Sequence, residues 1–526
     1  MTTKLRKFNF FKTFSLMSLL TFFSRIFGYI RDLFFAFFLG ASPLADSFLL
    51  AFRIPNFFRR LFAEGAINNA FIPIYLSISN KKNKLEAMRF SGSLLILLCI
   101  GLITILILGE IFMLDLVKLL APSFSNSLQN KTAHLASIMF PYLLLISISS
   151  FLGAILNAKK RFLMWSFLPI ILNLFMVLGM LVAFFNSLDV VSILAISVLF
   201  AGIFQFFLIF FWTRYLKITF IFKKPKISKE IKKFFKLLLP NLMAGGIVQI
   251  NQLVGVIYAS AMPGAISWLY YADRIVQLPL GIFIISISTI LLTNLSSPKV
   301  IKNMNKVKKQ IDRSLEIILG ISFLSCIGLF IFSELITDIL FKRGEFRYGD
   351  VKATSDAIFM YAIGLPAFGL IKVFSTIFFS KQDTKTPFKI SFFSMILNII
   401  LIVSLVGKLG HLGIALALSL SSWANALTLY LLAHFKGYWK INLVFLKKII
   451  KLFIVFFITL NFVGGVEHLV SFFDLISTAT LSDKILYLVY LAIITITSFI
   501  LFCIIFKIIA IKDLSKDNLF SILRSD

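Results

Sequence analysis

Long apolar blocks separated by short basic stretches run through the whole of this sequence, and they leave it few folds to adopt. Cutting the blocks at Pro, Gly and charge runs gives about fourteen, each of roughly 20 residues or more, the length of a bilayer-crossing helix. Their extents are 10–39, 44–78, 90–120, 134–157, 165–186, 189–216, 234–262, 265–297, 314–341, 352–379, 387–407, 410–434, 448–466 and 483–510. One soluble core could not absorb so many such blocks. Hydrophobic residues make up 59% of the 526 and charged residues 14%, whereas roughly a quarter of a soluble chain is charged. The expected fold class is an all-α polytopic membrane protein. The second and eighth blocks are overlong and rich in polar residues, which makes each a candidate for a bend or a break.

The net charge of +30 would ordinarily raise nucleic acid as a partner. Here the Lys and Arg residues gather at 81–89, 159–161, 223–236, 299–309, 381–389 and 436–448. The intervening connections are nearly free of them, apart from Lys131, Lys408 and the cluster Lys342, Arg343 and Arg347. That alternation is the positive-inside pattern, and with an even number of spans it places both termini in the cytoplasm. The excess then reads as orientation signals beside anionic lipid headgroups. No polar basic domain exists to bind nucleic acid, so membrane lipids are the expected surroundings. The basic N-terminus (Lys4, Arg6, Lys7) leads into an apolar run without a small-residue cleavage site, as in a retained first span.

Cys99, Cys326 and Cys503 lie far apart inside apolar segments. His134, His411, His434 and His468 are scattered near segment ends. Neither set has the close spacing of a disulfide framework or a zinc site, and no metal or cofactor is expected.

A weak internal repeat organises the blocks. The second begins Ala45-Asp46-Ser47-Phe48, continues through Ala51-Phe52-Arg53-Ile54 and closes at Tyr75-Leu76-Ser77. The eighth begins Ala265-Ile266-Ser267-Trp268, continues through Ala272-Asp273-Arg274-Ile275 and closes at Asn294-Leu295-Ser296. Matching polar positions at the start of two sets of six suggest parallel six-helix lobes, 1–222 and 223–440, followed by two extra helices within 441–526.

Function is most legible in the charges inside these blocks. The first contains Arg25, Arg31 and Asp32. At about 3 kcal/mol each, three mid-helix charges cost about 9 kcal/mol, against about 10 gained from twenty apolar residues. A lone lipid-facing helix would barely insert, so these side chains face protein or water. Arg25, Gly28 and Asp32 share one helix face. In the second block Asp46, Arg53, Asn56, Arg60, Glu64 and Asn68 are spaced by seven, three, four, four and four residues, which forms one stripe. Arg59 falls off it on an ideal helix, although Pro55 and Gly65 allow a kink. The eighth block adds Ser267, Tyr270, Asp273, Arg274 and Gln277. Lys372 is a lone basic residue that could line a cavity or snorkel, and Glu110 and Asp115 lie near an outer end.

Internal pairing accounts for part of this charge: Asp32 with Arg25 or Arg31, Glu64 with Arg60, and Asp273 with Arg274. The totals do not balance. Arg25, Arg31, Arg53, Arg59, Arg60 and Arg274 outnumber Asp32, Asp46, Glu64 and Asp273. Buried uncompensated positive charge is costly unless an anion sometimes fills the site. Arginine rather than lysine predominates, and its planar fork suits a phosphate.

The strings Ser24-Arg25-Ile26-Phe27-Gly28-Tyr29-Ile30-Arg31-Asp32, Phe52-Arg53-Ile54-Pro55-Asn56-Phe57-Phe58-Arg59-Arg60-Leu61-Phe62-Ala63-Glu64-Gly65-Ala66 and Ser267-Trp268-Leu269-Tyr270-Tyr271-Ala272-Asp273-Arg274 together resemble the MurJ/MviN family of lipid II flippases. Phe140-Pro141-Tyr142, Gly153-Ala154-Ile155-Leu156-Asn157 and Asp383-Thr384-Lys385-Thr386-Pro387 extend the resemblance over nearly the whole chain, in family order. It implies two six-helix lobes around a cationic cavity, with two further helices forming a lipid groove. It also implies lipid II as substrate, cavity arginines at Arg25, Arg31, Arg59 and Arg274, and acidic partners at Asp32, Asp46 and Glu64. Gln277 departs from relatives that carry an acid there. The alternatives are a flippase for another polyprenyl-diphosphate sugar, or a membrane-embedded glycosyltransferase. The second is disfavoured because Asp189, Glu345, Asp350, Glu467 and Asp474 on the outer connections form no paired acidic motif.

Overall fold

The computed structural model describes residues 10–63, 66–81, 83–159, 161, 163–221, 228–295, 304–472 and 480–508. Among these, all regular structure is helical. In chain order the helices are α1 (Phe10–Leu39), α2 (Pro43–Ala63), α3 (Ala66–Lys81), α4 (Lys84–Ile111), α5 (Met113–Leu120), α6 (Asn126–Met139), α7 (Tyr142–Ala158), α8 (Leu163–Phe185), α9 (Val190–Tyr215) and α10 (Lys229–Ala259). They continue as α11 (Ala265–Pro279), a π turn (Leu280–Ile284), α12 (Ile285–Leu295), α13 (Met304–Phe341), α14 (Tyr348–Ala362), α15 (Leu365–Ser380), α16 (Lys385–Leu409), α17 (His411–Phe435), α18 (Leu443–Phe472) and α19 (Leu481–Ile505).

Every apolar block of the sequence coincides with a helix or a pair of helices. Among the described residues, eleven helical segments are long and apolar enough to cross a membrane, or twelve if the bent pair α14–α15 is one span. The first two blocks, helical as α1 and as α2 with α3, lie outside that count of twelve. In the overlong second block Pro43–Ala63 and Ala66–Lys81 are helical, with Pro55 inside α2, and the two residues between them lie outside the described residues. The eighth block loses regular α geometry in the π turn that follows Pro279. Proline has no N–H to give the ladder, and regular α geometry resumes at Ile285.

The chain forms two compact units: 1–267 with 343–346, and 268–342 with 347–526. In the first, α1 packs along α8, α8 and α7 along α9, and α2 against α6 and α7. Phe71 anchors α3, stacking on Tyr75 and Phe90 and meeting Phe151 edge-on. Helix α10, which the sequence repeat assigns to the second set of six, packs within this unit on α3 and α2. The segment 343–346 docks on the end of α1, where Glu345 N donates to the Phe37 carbonyl at 3.0 Å. Gly344 makes the approach feasible: its φ is +58°, and a Cβ there would lie 2.2 Å from Phe37 O.

In the second unit α13 is the central post, touching α14, α15, α18 and α19. Lys448 of α18 donates to Glu316 at 2.8 Å, and Lys484 of α19 to Asp338 at 2.6 Å. These two anchors on α13 are about 33 Å apart at the helical rise, close to a bilayer's hydrocarbon thickness. Between them Phe332, Val463 and Leu491 form a buried apolar contact. Hydroxyls within the helices are largely turned on their own backbone, as for Thr132, Ser149, Thr337 and Thr459, each bonded to the carbonyl four residues back. Large apolar side chains such as Ile100, Ile107, Phe211, Ile400 and Leu486 point outward, as lipid-facing surface requires.

Candidate anion-binding site

On α1, Arg31 and Asp32 are both buried. Arg31 Nη2 and Nε donate to Asp32 Oδ1 at 2.6 and 3.0 Å, and Nη1 donates to Asn173 Oδ1 of α8 at 3.0 Å. Asn173 Nδ2 in turn donates to the Ser24 carbonyl at 3.3 Å. A Cβ on Gly28 would sit only 3.3 Å from Asn173 Nδ2, so the glycine admits this amide against α1. Of the two arginines open to Asp32, the structure selects Arg31. Arg25 is exposed.

Helix α2 carries the stripe. Arg53 Nη1 donates to the Gln252 carbonyl of α10 at 3.2 Å. Arg60 Nη1 donates to Gln252 Oε1 at 3.0 Å and to Gln249 Oε1 at 3.4 Å. Arg59 Nε donates to Asn56 Oδ1 at 2.8 Å, one turn earlier, which draws it toward the stripe despite the ideal spacing. Glu64, expected as the Arg60 partner, lies outside the described residues. Asn68, at the far end of the stripe, has a buried side-chain oxygen with no hydrogen-bond partner.

Asp46 is only 1% exposed, and its carboxylate is turned to the start of α11. Its Oδ2 accepts from Gly264 N at 2.6 Å, and its Oδ1 from Ser267 N and Oγ at 2.8 and 2.6 Å. These amides open a helix, where no backbone carbonyl reaches them and the dipole favours a negative group.

In the second unit, Arg274 Nη2 donates to Tyr270 Oη at 3.1 Å, with the guanidinium 4.9 Å from the ring centre. Asp273 accepts from Gln277 Nε2 one turn along. The glutamine at 277 thus serves as donor to Asp273. Lys372 is exposed on α15.

Arginine side chains oriented by oxygen acceptors can present planar forks to a phosphate while keeping their charge. Of the acids, Asp32 pairs with Arg31, Asp46 accepts from a helix N-terminus and Asp273 accepts from Gln277. A family model described as Lipid II flippase MurJ matches residues 35–510. The chain belongs to that family. It is 37% identical over 425 residues to a protein of Rickettsia prowazekii named as a probable lipid II flippase MurJ, covering 80% of this chain and 83% of that one. A relative of the same name from Rhizobium meliloti is 36% identical over 437 residues, 82% of each chain. Among solved structures, a lipid II flippase MurJ in an inward closed conformation superposes with a TM-score of 0.79 at 27% identity, covering 93% of this chain and 98% of that one. An inward-facing multidrug transporter of the MATE family shares the fold, with a TM-score of 0.68 at 14% identity. The chain is therefore a polytopic membrane protein of a transporter family.

Three polar side chains at this site escape a search for charges: Asn173, Gln249 and Gln252. Their signal in the sequence is an amide within an otherwise apolar helix, which lipid disfavours much as it does a charge.

Proposed function

We propose that this chain carries lipid II, the undecaprenyl-diphosphate-linked peptidoglycan precursor, from the cytoplasmic to the outer leaflet of the bacterial inner membrane, without a covalent step. Arg25, Arg31, Arg59 and Arg274, with Arg53 and Arg60, take the diphosphate. Asp32, Asp46, Glu64 and Asp273 act as charge partners or gates. Both termini lie in the cytoplasm, lobes 1–222 and 223–440 rock to give alternating access, and the helices of 441–526 keep the polyprenyl tail in apolar surroundings.

The observation that carries this reading is the group of intramembrane arginines that donate to amide and carbonyl oxygens. An oriented cation of this kind suits a ligand that is anionic and leaves again. The double anchor of α18 and α19 on α13 supports a fixed wall for the tail.

The test is twofold. In a bacterium depleted of its own flippase, the chain should restore growth and cell shape. Purified protein in proteoliposomes should move fluorescent lipid II between leaflets and return it chemically unchanged by mass. Release of a cleaved or extended product would point to an enzyme. Faster movement of a different polyprenyl-diphosphate sugar would reassign the substrate.

A further inference from the structure

We propose that Gln249 and Gln252 of α10 are positioning residues for anion binding by Arg60, and that they help set the affinity of the site for a diphosphate. This rests on the reading of Arg60 as a substrate ligand. Gln249 and Gln252 are three residues apart, on one face of α10, and Arg53 and Arg60 are seven apart, on one face of α2. Both glutamine side-chain oxygens converge on the same atom, Arg60 Nη1, at 3.4 and 3.0 Å. The Gln252 carbonyl also receives Arg53 Nη1 at 3.2 Å. One turn of α10 therefore grips two arginines that stand two turns apart on α2.

Glutamine is suited to this task. Its oxygen accepts from a guanidinium and fixes its direction, but it brings no countercharge, whereas a glutamate in its place would supply one. Arginine is long and rotamer-rich, so ordering it before the anion arrives removes that cost from the binding step. A simple adhesive role for these amides, fastening α10 to α2, would show in stability rather than in affinity for an anion.

The experiment measures lipid II affinity and maximal flipping rate of the full-length protein, with thermal stability as the control. Gln249→Leu with Gln252→Leu should weaken affinity about tenfold, the scale of one hydrogen bond to a charged group. Gln252→Glu, equal in shape, should weaken it further by pairing with Arg60. Gln252→Asn, which retains an amide, should recover part of the loss and covers the case in which the leucine variant fails to fold. Arg60→Ala should weaken affinity by itself, and adding Gln252→Leu to it should cost nothing more, because the glutamine acts through the arginine. Full additivity, or glutamine variants that shift only thermal stability, would overturn the proposal while leaving Arg60 as a ligand. Unchanged affinity in Arg60→Ala would remove the reading beneath it as well.

Discussion

Asp46 and Ser267, 221 positions apart in the chain, are joined by two hydrogen bonds that one carboxylate oxygen accepts, from the serine amide at 2.8 Å and from its hydroxyl at 2.6 Å. The other oxygen holds Gly264 N at 2.6 Å. Removing the carboxylate strands two amides, at about 1–3 kcal/mol for each left without an acceptor. If these contacts close the outer side of the transport path, Asp46→Ala should favour the open state. A cysteine at Ser42 should then react faster with a membrane-impermeant maleimide added from outside, and complementation should fall. Asp46→Asn should behave similarly though less severely, since its amide keeps one acceptor but sets a donor against N–H groups. Unchanged labelling in both variants would argue that this contact is static.

The Arg31–Asp32 pair separates stability from binding. Breaking a buried pair at one end leaves the other charge alone, at about 3–5 kcal/mol. Arg31→Ala should therefore lower the melting temperature more than Arg31→Ala with Asp32→Ala. Both should fail to complement, because neither retains the fork. Arg31→Lys should also fail, since a point charge cannot serve Asp32 and Asn173 in the same geometry. A stable double variant with full activity would show that this arginine does not bind substrate.

Asp383 offers a check outside the spans, in the turn before α16. Its carboxylate accepts from Lys436 Nζ at 2.7 Å and from Thr386 Oγ1 and N at 2.8 and 3.0 Å. Burial pushes its pKa up, but the Lys436 and Thr386 hydrogen bonds outweigh that and bring it to about 2, from an ordinary 3.8. A depressed carboxylate pKa contributes stability that is complete above the unfolded value and is lost as pH falls from there toward the folded value. Asp383→Ala should thus lower stability by about 1–2 kcal/mol at neutral pH. The gap between variant and parent in thermal denaturation should narrow as the pH falls from about 4 toward 2. A gap that stayed constant down to pH 2 would mean that the ionised carboxylate is not what stabilises this turn.

These cases also show how far the sequence can be read. The spans are legible because lipid punishes every polar residue, so a long apolar run has few other meanings. Arg31, Asp32 and the α2 stripe are legible for the same reason, as costly exceptions inside such runs. Asn173, Gln249 and Gln252 are not, because attention to charge overlooks amides. Their role also depends on contacts 142, 189 and 192 residues away along the chain. Helical spacing pairs Arg60 with its neighbour Glu64, and only tertiary packing brings α10 within reach. Asp46 stands out by its charge, yet its partners at Gly264 and Ser267 cannot be derived, since a helix N-terminus announces its need for an acceptor but not its source. The breaks at Pro141 and Gly364 likewise lie inside runs that read as continuous.

Ser42 lies one turn before Asp46, whose backbone N donates to the Ser42 carbonyl at 3.0 Å. Pro263 immediately precedes Gly264, which Asp46 holds. A cysteine pair at Ser42 and Pro263 therefore spans the Asp46 contact without removing it. Ser42 Oγ does accept from Ala45 N at 3.2 Å, so Ser42→Cys alone weakens one helix cap and serves as the control. If transport requires these two segments to part, a short bifunctional reagent that joins the pair should stop lipid II flipping, and a cleavable version should restore it on reduction. Each single cysteine treated alike should retain its rate. Alternating access needs an outer end that opens once per cycle, and this is the place where a buried carboxylate could release two amides and a hydroxyl together. Flipping that continued at full rate with the crosslink verified by mass would mean that the path opens elsewhere.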